Sequence, residues 1–366
     1  ARLMKPRAYE AMKNPRLVFV CAALLLGVGC KSVGPGTIAR DRFNYSGALA
    51  ESWKNQMLLN LVKTRYLDLP IYLDVGQIVS GYTLETGVTI FGQASPQSMR
   101  GDTFGGLGAS GTFTDRPTIT YTPLTGERFL VGFLTPVNPA KVMSVVQSGY
   151  PADFILQLTV DSLNGLRNRP VAPGSKHKAD PEFFRLLALL REIQDAGAVG
   201  MRVEQPTNGE PAAVLFFRGE RTSPEVEAKL SEARRLLGVA EGESAFRLVQ
   251  SPLRGGPGEL GIATRSLIQV MSSLALGVKV PPQHLERKLT PPIPDVPPDE
   301  PVLLRIHSGS EKPADAFVTV PYEGQWFWIA NDDWTSKRTF SSILFLFTLA
   351  DAGGAHTMPT ITIPAQ

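Results

Sequence analysis

Residues 180–205 read DPEFFRLLALLREIQDAGAVGMRVEQ. Asp180-Pro181-Glu182 is cap-then-proline chemistry, which predicts a helix start. Phe183, Leu187, Leu190 and Ile193 then share one helical face, and Gly197 closes the segment. Strands are predicted over 199–205 and 212–218. Ser223-Pro224-Glu225 opens another helix, with Val226, Leu230, Ala233 and Leu237 inward and Gly238 as its stop. A strand over 245–250 and a helix over about 262–276 complete the run. The order α-β-β-α-β-α interleaves and holds at least one hairpin. It predicts an α+β fold, with mixed antiparallel sheets and packed helices, rather than a doubly wound parallel sheet.

Working upstream, Asn138-Pro139 predicts a further capped helix that stops at Gly149. Pro151 to Leu163 predicts a second, with a buried strand as the alternative for FILQLTV (154–160). Residues 46–66 predict a helix, because Leu49, Trp53, Met57 and Leu61 repeat every four residues beside Leu58 and Val62, and Pro70 ends it. Between them lie predicted strands at 71–79, 82–91, 109–121 and 128–134. In Thr83 to Phe91, Leu84, Thr86, Val88 and Ile90 form one face and Thr83, Glu85, Gly87 and Thr89 the other. Residues 92–108, rich in Gly, Ser and Gln, predict a long hairpin with a mobile tip. Asp115, Arg116 and Pro117 interrupt the following strand.

Downstream, residues 281–301 hold eight prolines in 21 positions, which predicts a semi-rigid extended spacer. A C-terminal module over 302–366 follows, read as β (302–307), β (316–322), β (325–330), α (335–350) and β (359–364). Tyr322-Glu323-Gly324-Gln325 suits a tight turn.

The compartment is read from residues 12–30, MKNPRLVFVCAALLLGVGC. Lys13 and Arg16 precede an apolar run from Leu17 to Val28, followed by small residues. That run is too short to span a bilayer, which takes about 20 apolar residues, and it has the design of a secretory signal peptide. The segment ends Gly27-Val28-Gly29-Cys30, which resembles the lipobox of bacterial lipoproteins, with Gly27 where Leu is usual. The resemblance implies cleavage before Cys30, its lipidation and an acylated amino terminus. Lys31 after the cysteine implies sorting to the outer membrane. The expected organisation is a signal peptide (1–29), a lipidated N-terminus and tether (30–45, flexible over 31–40), a main α+β domain (46–280, with subdomains 46–170 and 180–280), the proline-rich linker (281–301) and the C-terminal module (302–366).

Composition agrees with export. The chain has 366 residues, 43% of them hydrophobic, which is ample for packed cores. Gly and Pro make up about 17%, against an average near 12%, so the chain is loop-rich but not of low complexity. Residues 1–29 carry five basic residues against Glu10, so their removal takes the net charge from +3 to −1. No basic footprint for nucleic acid is left. Cys21 leaves with the signal peptide and Cys30 is committed to lipid, so the folded body has no thiol for a disulfide or metal.

Three stretches carry a wider resemblance. RDRFNYSGALAESWKNQMLLNLVKTRYLDLPIYLDV (40–75), TDRPTITYTPLTGERF (114–129) and YEGQWFWIANDDWTSKRTFSSILFLFTLA (322–350) resemble a group of uncharacterised bacterial predicted lipoproteins of the outer membrane. The resemblance implies that the three belong to one architecture. It carries over no catalytic residue.

Candidate chemistry is sparse. Gly106-x-Gly108-x-x-Gly111 runs into a strand, so no helix N-terminus receives a phosphate there. Gly256-x-Gly258-x-x-Gly261 precedes the predicted helix, yet Pro257 removes an N–H and no acidic residue stands about 20 positions on. Loop glycines account better for both. His177, His284, His307 and His356 show no metal-ligand spacing and read as exposed. Asp332-Asp333 offers a carboxylate pair, for which a helix cap is the favoured account. Trp326, Phe327, Trp328 and Trp334 crowd together, and a strand puts Trp326 and Trp328 on one face. No catalytic, cofactor or metal residue is assigned. The site expectation is lipidation at Cys30, with Trp326, Trp328, Asp332 and Asp333 as a partner surface.

The functional expectation is a lipid-anchored envelope protein with a non-enzymatic binding, structural or assembly role on the periplasmic side of the outer membrane. Its expected partners are the membrane, through palmitate-type acyl chains, and an envelope protein or further copies of itself. The alternative is a subunit of an oligomeric pore or secretion channel that contributes hairpin 82–121. An envelope hydrolase using Asp332 and Asp333 ranks third.

Overall fold

The computed structural model describes residues 33–79, 81–93, 104–124, 127–171, 178–204, 212–218, 223–292 and 301–350. Its elements, in chain order, are α1 (Val33–Arg65), β1 (Leu73–Val79), β2 (Tyr82–Gln93), β3 (Phe104–Asp115), β4 (Thr118–Pro123), α2 (Glu127–Leu134), α3 (Pro139–Gln147), α4 (Ala152–Thr159), β5 (Val160–Leu163), β6 (Leu166–Arg167), α5 (Pro181–Asp195), β7 (Val199–Glu204), β8 (Ala212–Phe217), α6 (Pro224–Leu237), β9 (Ala245–Gln250), β10 (Glu259–Thr264), α7 (Leu267–Ala275), α8 (Pro282–Glu286), β11 (His307–Gly309), β12 (Val318–Tyr322), β13 (Gln325–Ile329) and α9 (Trp334–Ala350). The fold is α+β.

The described chain falls into two units. One holds 33–50 and Gln77–Thr120, and the other holds Glu51–Gly76 and 121–350. The first is built around the antiparallel pair β2–β3. The second is built on a six-stranded sheet in the order β6-β5-β10-β9-β8-β7 and a three-stranded sheet in the order β11-β13-β12. β1 pairs with β4.

Local chemistry accounts for the element boundaries of the second unit. Asn138 Oδ1 accepts from Ala140 N at the start of α3, and Ser223 Oγ accepts from Val226 N at the start of α6. Gly238 ends α6 in the left-handed region. Asp180 precedes α5 without capping it; its carboxylate accepts from Arg167 N instead.

The core joins elements far apart in sequence. Leu58, Leu61 and Val62 of α1, Phe183 and Ile193 of α5, Phe246 of β9, Leu260 and Ile262 of β10, and Phe327 and Ile329 of β13 are all fully buried in one apolar cluster. The C-terminal sheet therefore shares its core with the rest of the unit. Gly277 and Leu304 sit so close that a Cβ on Gly277 has no room, and Ile306 exchanges backbone bonds with Gly277 and Lys279.

Several expectations change. The tether does not stay irregular over 33–40, because α1 begins at Val33. Pro35 falls in the first turn, where its missing N–H costs nothing. Residues 128–134 are helix rather than strand. Of the alternatives for 154–160, the helix holds through Thr159 and the strand does not; the helix stops short of Leu163, because β5 begins at Val160. Residues 262–264 belong to a strand, β10, which has Leu260, Gly261 and Ile262 buried on both faces. A central strand of this kind shows no alternation to read.

The proline-rich segment is not an extended spacer over its described part. Pro281 and Pro282 start α8, His284 and Thr290 are buried, and Arg65 donates to Thr290 and to the Pro291 carbonyl. The strand expected at 302–307 lies later, as β11 at 307–309, while 302–305 has no regular structure and Ile306 makes a single parallel bridge to Val278. The tip residues 94–103, the linker residues 293–300 and the strand expected at 359–364 lie outside the described residues.

Candidate functional site

The β2–β3 hairpin is the most regular feature of the first unit. The strands pair over twelve positions, from Tyr82 opposite Asp115 to Gln93 opposite Phe104. At about 3.4 Å per residue the ladder is about 40 Å long. Arg116 N donates to the Gly81 carbonyl and closes the stem, and Pro117 then ends the run.

Residues directly opposite in an antiparallel pair share a face. The register thus groups Thr83 with Thr114, Glu85 with Thr112, Gly87 with Ser110 and Thr89 with Gly108. All of these are exposed except half-buried Thr114. On the alternate positions the register sets Leu84 opposite Phe113, Thr86 opposite Gly111, Val88 opposite Ala109 and Ile90 opposite Leu107. The sequence alternation of the first strand is therefore matched, position for position, by the second. The polar face ends beyond Thr89, where the next pairs are Phe91 with Gly106 and Gln93 with Phe104. Among the described residues neither β2 nor β3 has a second strand neighbour, so each keeps an outer backbone edge unpaired.

The C-terminal candidates arrange differently. Trp326 and Trp328 alternate with buried Phe327 and Ile329 and remain half-buried. Their cross-strand partners are Gly309 and His307 on β11 and Pro321 and Thr319 on β12. His307 stacks on Trp328 with ring centroids 5.7 Å apart, and Lys312 lies over Trp326 at 5.4 Å. Trp334 is 69% exposed, with Arg338 5.4 Å from its ring.

Asp333 caps α9. Its Oδ1 accepts from Ser336 N at 3.0 Å, and its Oδ2 accepts from the Ser336 hydroxyl at 2.7 Å. Burial works against its charge, yet these hydrogen bonds, with Arg305 and His307 nearby, hold it below the usual carboxylate range. A carboxylate committed in this way is not poised as a general acid. Asp332 is exposed beside it. Cys30 lies outside the described residues, as do His177 and His356.

One grouping has no signature in sequence. His284, read as exposed, is buried, because Pro281-Pro282 folds it inward on α8. Tyr66 Oη lies 2.7 Å from its Nδ1. Tyr66 also meets Tyr322 and Phe327 edge-on, at 5.2 and 6.0 Å. Tyr322 donates to Asp68 at 3.1 Å. Burial pushes the Tyr66 phenol up to about 12. Residues 66, 284 and 322 share no spacing that a single sequence could reveal.

Both glycine motifs resolve into strand chemistry. The first lies within β3. The second runs from the connection 251–258 into β10, not into a helix, and that connection carries the chain back to the start of the parallel neighbour of β9. A Cβ on Gly261 would fall 1.9 Å from the Leu253 carbonyl oxygen, so only glycine fits there. Asn164 Oδ1 accepts from Gly255 N and Gly261 N and pins the return.

Buried Arg265 donates to the Arg169 and Gln157 carbonyls and to Ser273, and burial lowers its guanidinium to about 10. Its donors tie backbone together. Among the described residues no group of three or more His, Cys, Asp or Glu could hold a metal, and no helix is long and apolar enough to cross a membrane.

No protein-family model matches the chain, and neither a curated protein nor a solved structure matches it.

Proposed function

We propose that this chain is a lipid-anchored envelope protein that works without chemistry, as one subunit of an oligomeric β-barrel pore in the outer membrane. The observation that carries the reading is the β2–β3 hairpin, with its full register, its alternating polar and apolar positions and its two unpaired edges. A membrane-crossing β-strand takes about 9–11 residues, and each strand here has twelve. In lipid, every edge N–H and C=O must find a partner. A lone hairpin cannot meet that condition, but a closed ring of hairpins from identical copies can. Acyl chains on Cys30 would confine the copies to one surface and raise their effective concentration there.

The test uses the full lipidated chain, extracted in mild detergent. Rings in negative stain and discrete conductance steps in planar bilayers are expected. A monomer in both detergent and lipid, without conductance, overturns the pore. Labelled palmitate is expected to enter the parent chain and not Cys30→Ala; equal labelling of both removes the anchor.

A second reading is favoured by the half-buried Trp326 and Trp328. Their face would bind an envelope protein partner, and Trp328→Ala would weaken capture of that partner without lowering conductance.

A further inference from the structure

We infer that the assembled conduit passes cations in preference to anions, and that Glu85 sets the preference. The inference rests on the pore reading above and adds the class of solute it serves. Three observations carry it.

The first is placement. Glu85 is exposed and shares its face with Thr83, Gly87 and Thr89 and with Ser110, Thr112 and Thr114 across the ladder. The opposite positions hold Leu84, Val88, Ile90, Leu107 and Phe113. In a closed barrel the apolar set must meet lipid, which leaves the polar set from Thr83 to Thr89 for the lumen, before the same face turns to Phe91 and Phe104.

The second is charge. The paired segments 82–93 and 104–115 contain two ionisable carboxylates, Glu85 and Asp115, and neither Lys nor Arg. Arg116 follows the last pair of the ladder, and Arg100 lies outside the described residues. Asp115 sits at the stem end, opposite Tyr82 and in the alternate set, so it does not share the Glu85 face.

The third is register. Every copy contributes Glu85 at one height, three positions or about 10 Å from the Tyr82–Asp115 end of the ladder. A symmetric assembly turns one carboxylate per copy into a ring near one mouth, and rings of Asp or Glu favour cations. Its neighbours on that face are uncharged Thr, Ser and Gly, which neither neutralise nor crowd it.

The test is the reversal potential of the full lipidated chain in planar bilayers under a potassium chloride gradient. The parent is expected to give a cation-over-anion permeability ratio above one. Glu85→Gln should bring the ratio close to one, and Glu85→Lys should invert it. Asp115→Asn should leave it at the parent value. The parent preference should also shrink as salt rises from about 0.1 to 1 M, because the screening length falls from roughly 10 to 3 Å. Conductance with an unchanged ratio in Glu85→Gln, or an anion preference in the parent, overturns the inference and leaves the pore standing. No conductance in the parent or any variant overturns the pore itself, and the selectivity with it.

Discussion

Two of the molecule's hairpins follow one local rule and are supported in opposite ways. β12–β13 and β2–β3 are both antiparallel and continuous in register. In β12–β13, five residues a side suffice, because β11 supplies a third strand and Val318, Val320, Phe327 and Ile329 are buried in the core. In β2–β3, twelve residues a side run without a third strand among the described residues. A two-stranded hairpin is marginal in water unless a sheet or helix supports it. The C-terminal hairpin is completed by its own chain. The longer one has the proportions of an element completed by other copies.

The largest effect should come from removing the support of the shorter hairpin. Phe327 is fully buried and touches Tyr66 edge-on. Phe327→Ala should cost about 3–5 kcal/mol, measured by urea or thermal unfolding of the full chain. A loss below about 1 kcal/mol would mean that the C-terminal sheet does not share the core. The residue lies in the second unit, so conductance of the variant also tests whether the proposed pore depends on an intact body.

The next effect separates the two faces of the longer hairpin. Val88 and Thr89 are adjacent but belong to alternate sets. A Lys on the lipid side of a barrel costs about 2–4 kcal/mol near the midplane, while lumen positions tolerate charge. Val88→Lys should abolish insertion into vesicles, and Thr89→Lys should insert like the parent. Both should leave the unfolding midpoint of the second unit unchanged. Equal insertion of the two variants would remove the distinction between the hairpins.

What could be read in advance follows from where the governing interactions lie. Helix starts at Asn138 and Ser223 were legible because the cap, the proline and the apolar face sit within a few residues of one another. The faces of β2 were legible because alternation is local. Segment 128–134 read wrongly because a short apolar run fits either period, and it becomes α2. β10 was missed because Leu260, Gly261 and Ile262 are buried on both faces. The segment after Pro281 misled because its composition says extended, while its burial depends on Arg65 and Tyr66, more than 200 positions away. Of the candidate site, the polar and apolar sets of β2 were visible. Their partners in β3 were not, because register is a property of the pair.

The smallest effect concerns how the shorter hairpin is fastened. Its turn, Tyr322-Glu323-Gly324-Gln325, has Glu323 and Gly324 at positive φ and rests beside Tyr66 and His284. Burial, and then the charge of Arg287, lower the His284 pKa; Glu323 opposes them in part. The folded ring thus resists a proton that the unfolded ring accepts near pH 6.5. Above that pH both states are neutral and the full stability is present. As pH falls below it, the unfolded state binds the proton first, so stability is lost until the lowered folded pKa is reached. At the other extreme, Tyr66 and Tyr322 both rise to about 12, so the fold disfavours their phenolates. That contribution is present below about pH 10 and is lost between there and about 12. The melting temperature of the parent should therefore drop on both flanks, and His284→Gln should flatten the acid flank just below pH 6.5, leaving the carboxylate-linked loss at lower pH and the alkaline flank as they are. Equal steepness of parent and His284→Gln in the window just below pH 6.5 would show that the turn is fastened by packing of Tyr66 on Tyr322 and Phe327, and not by the neutral imidazole.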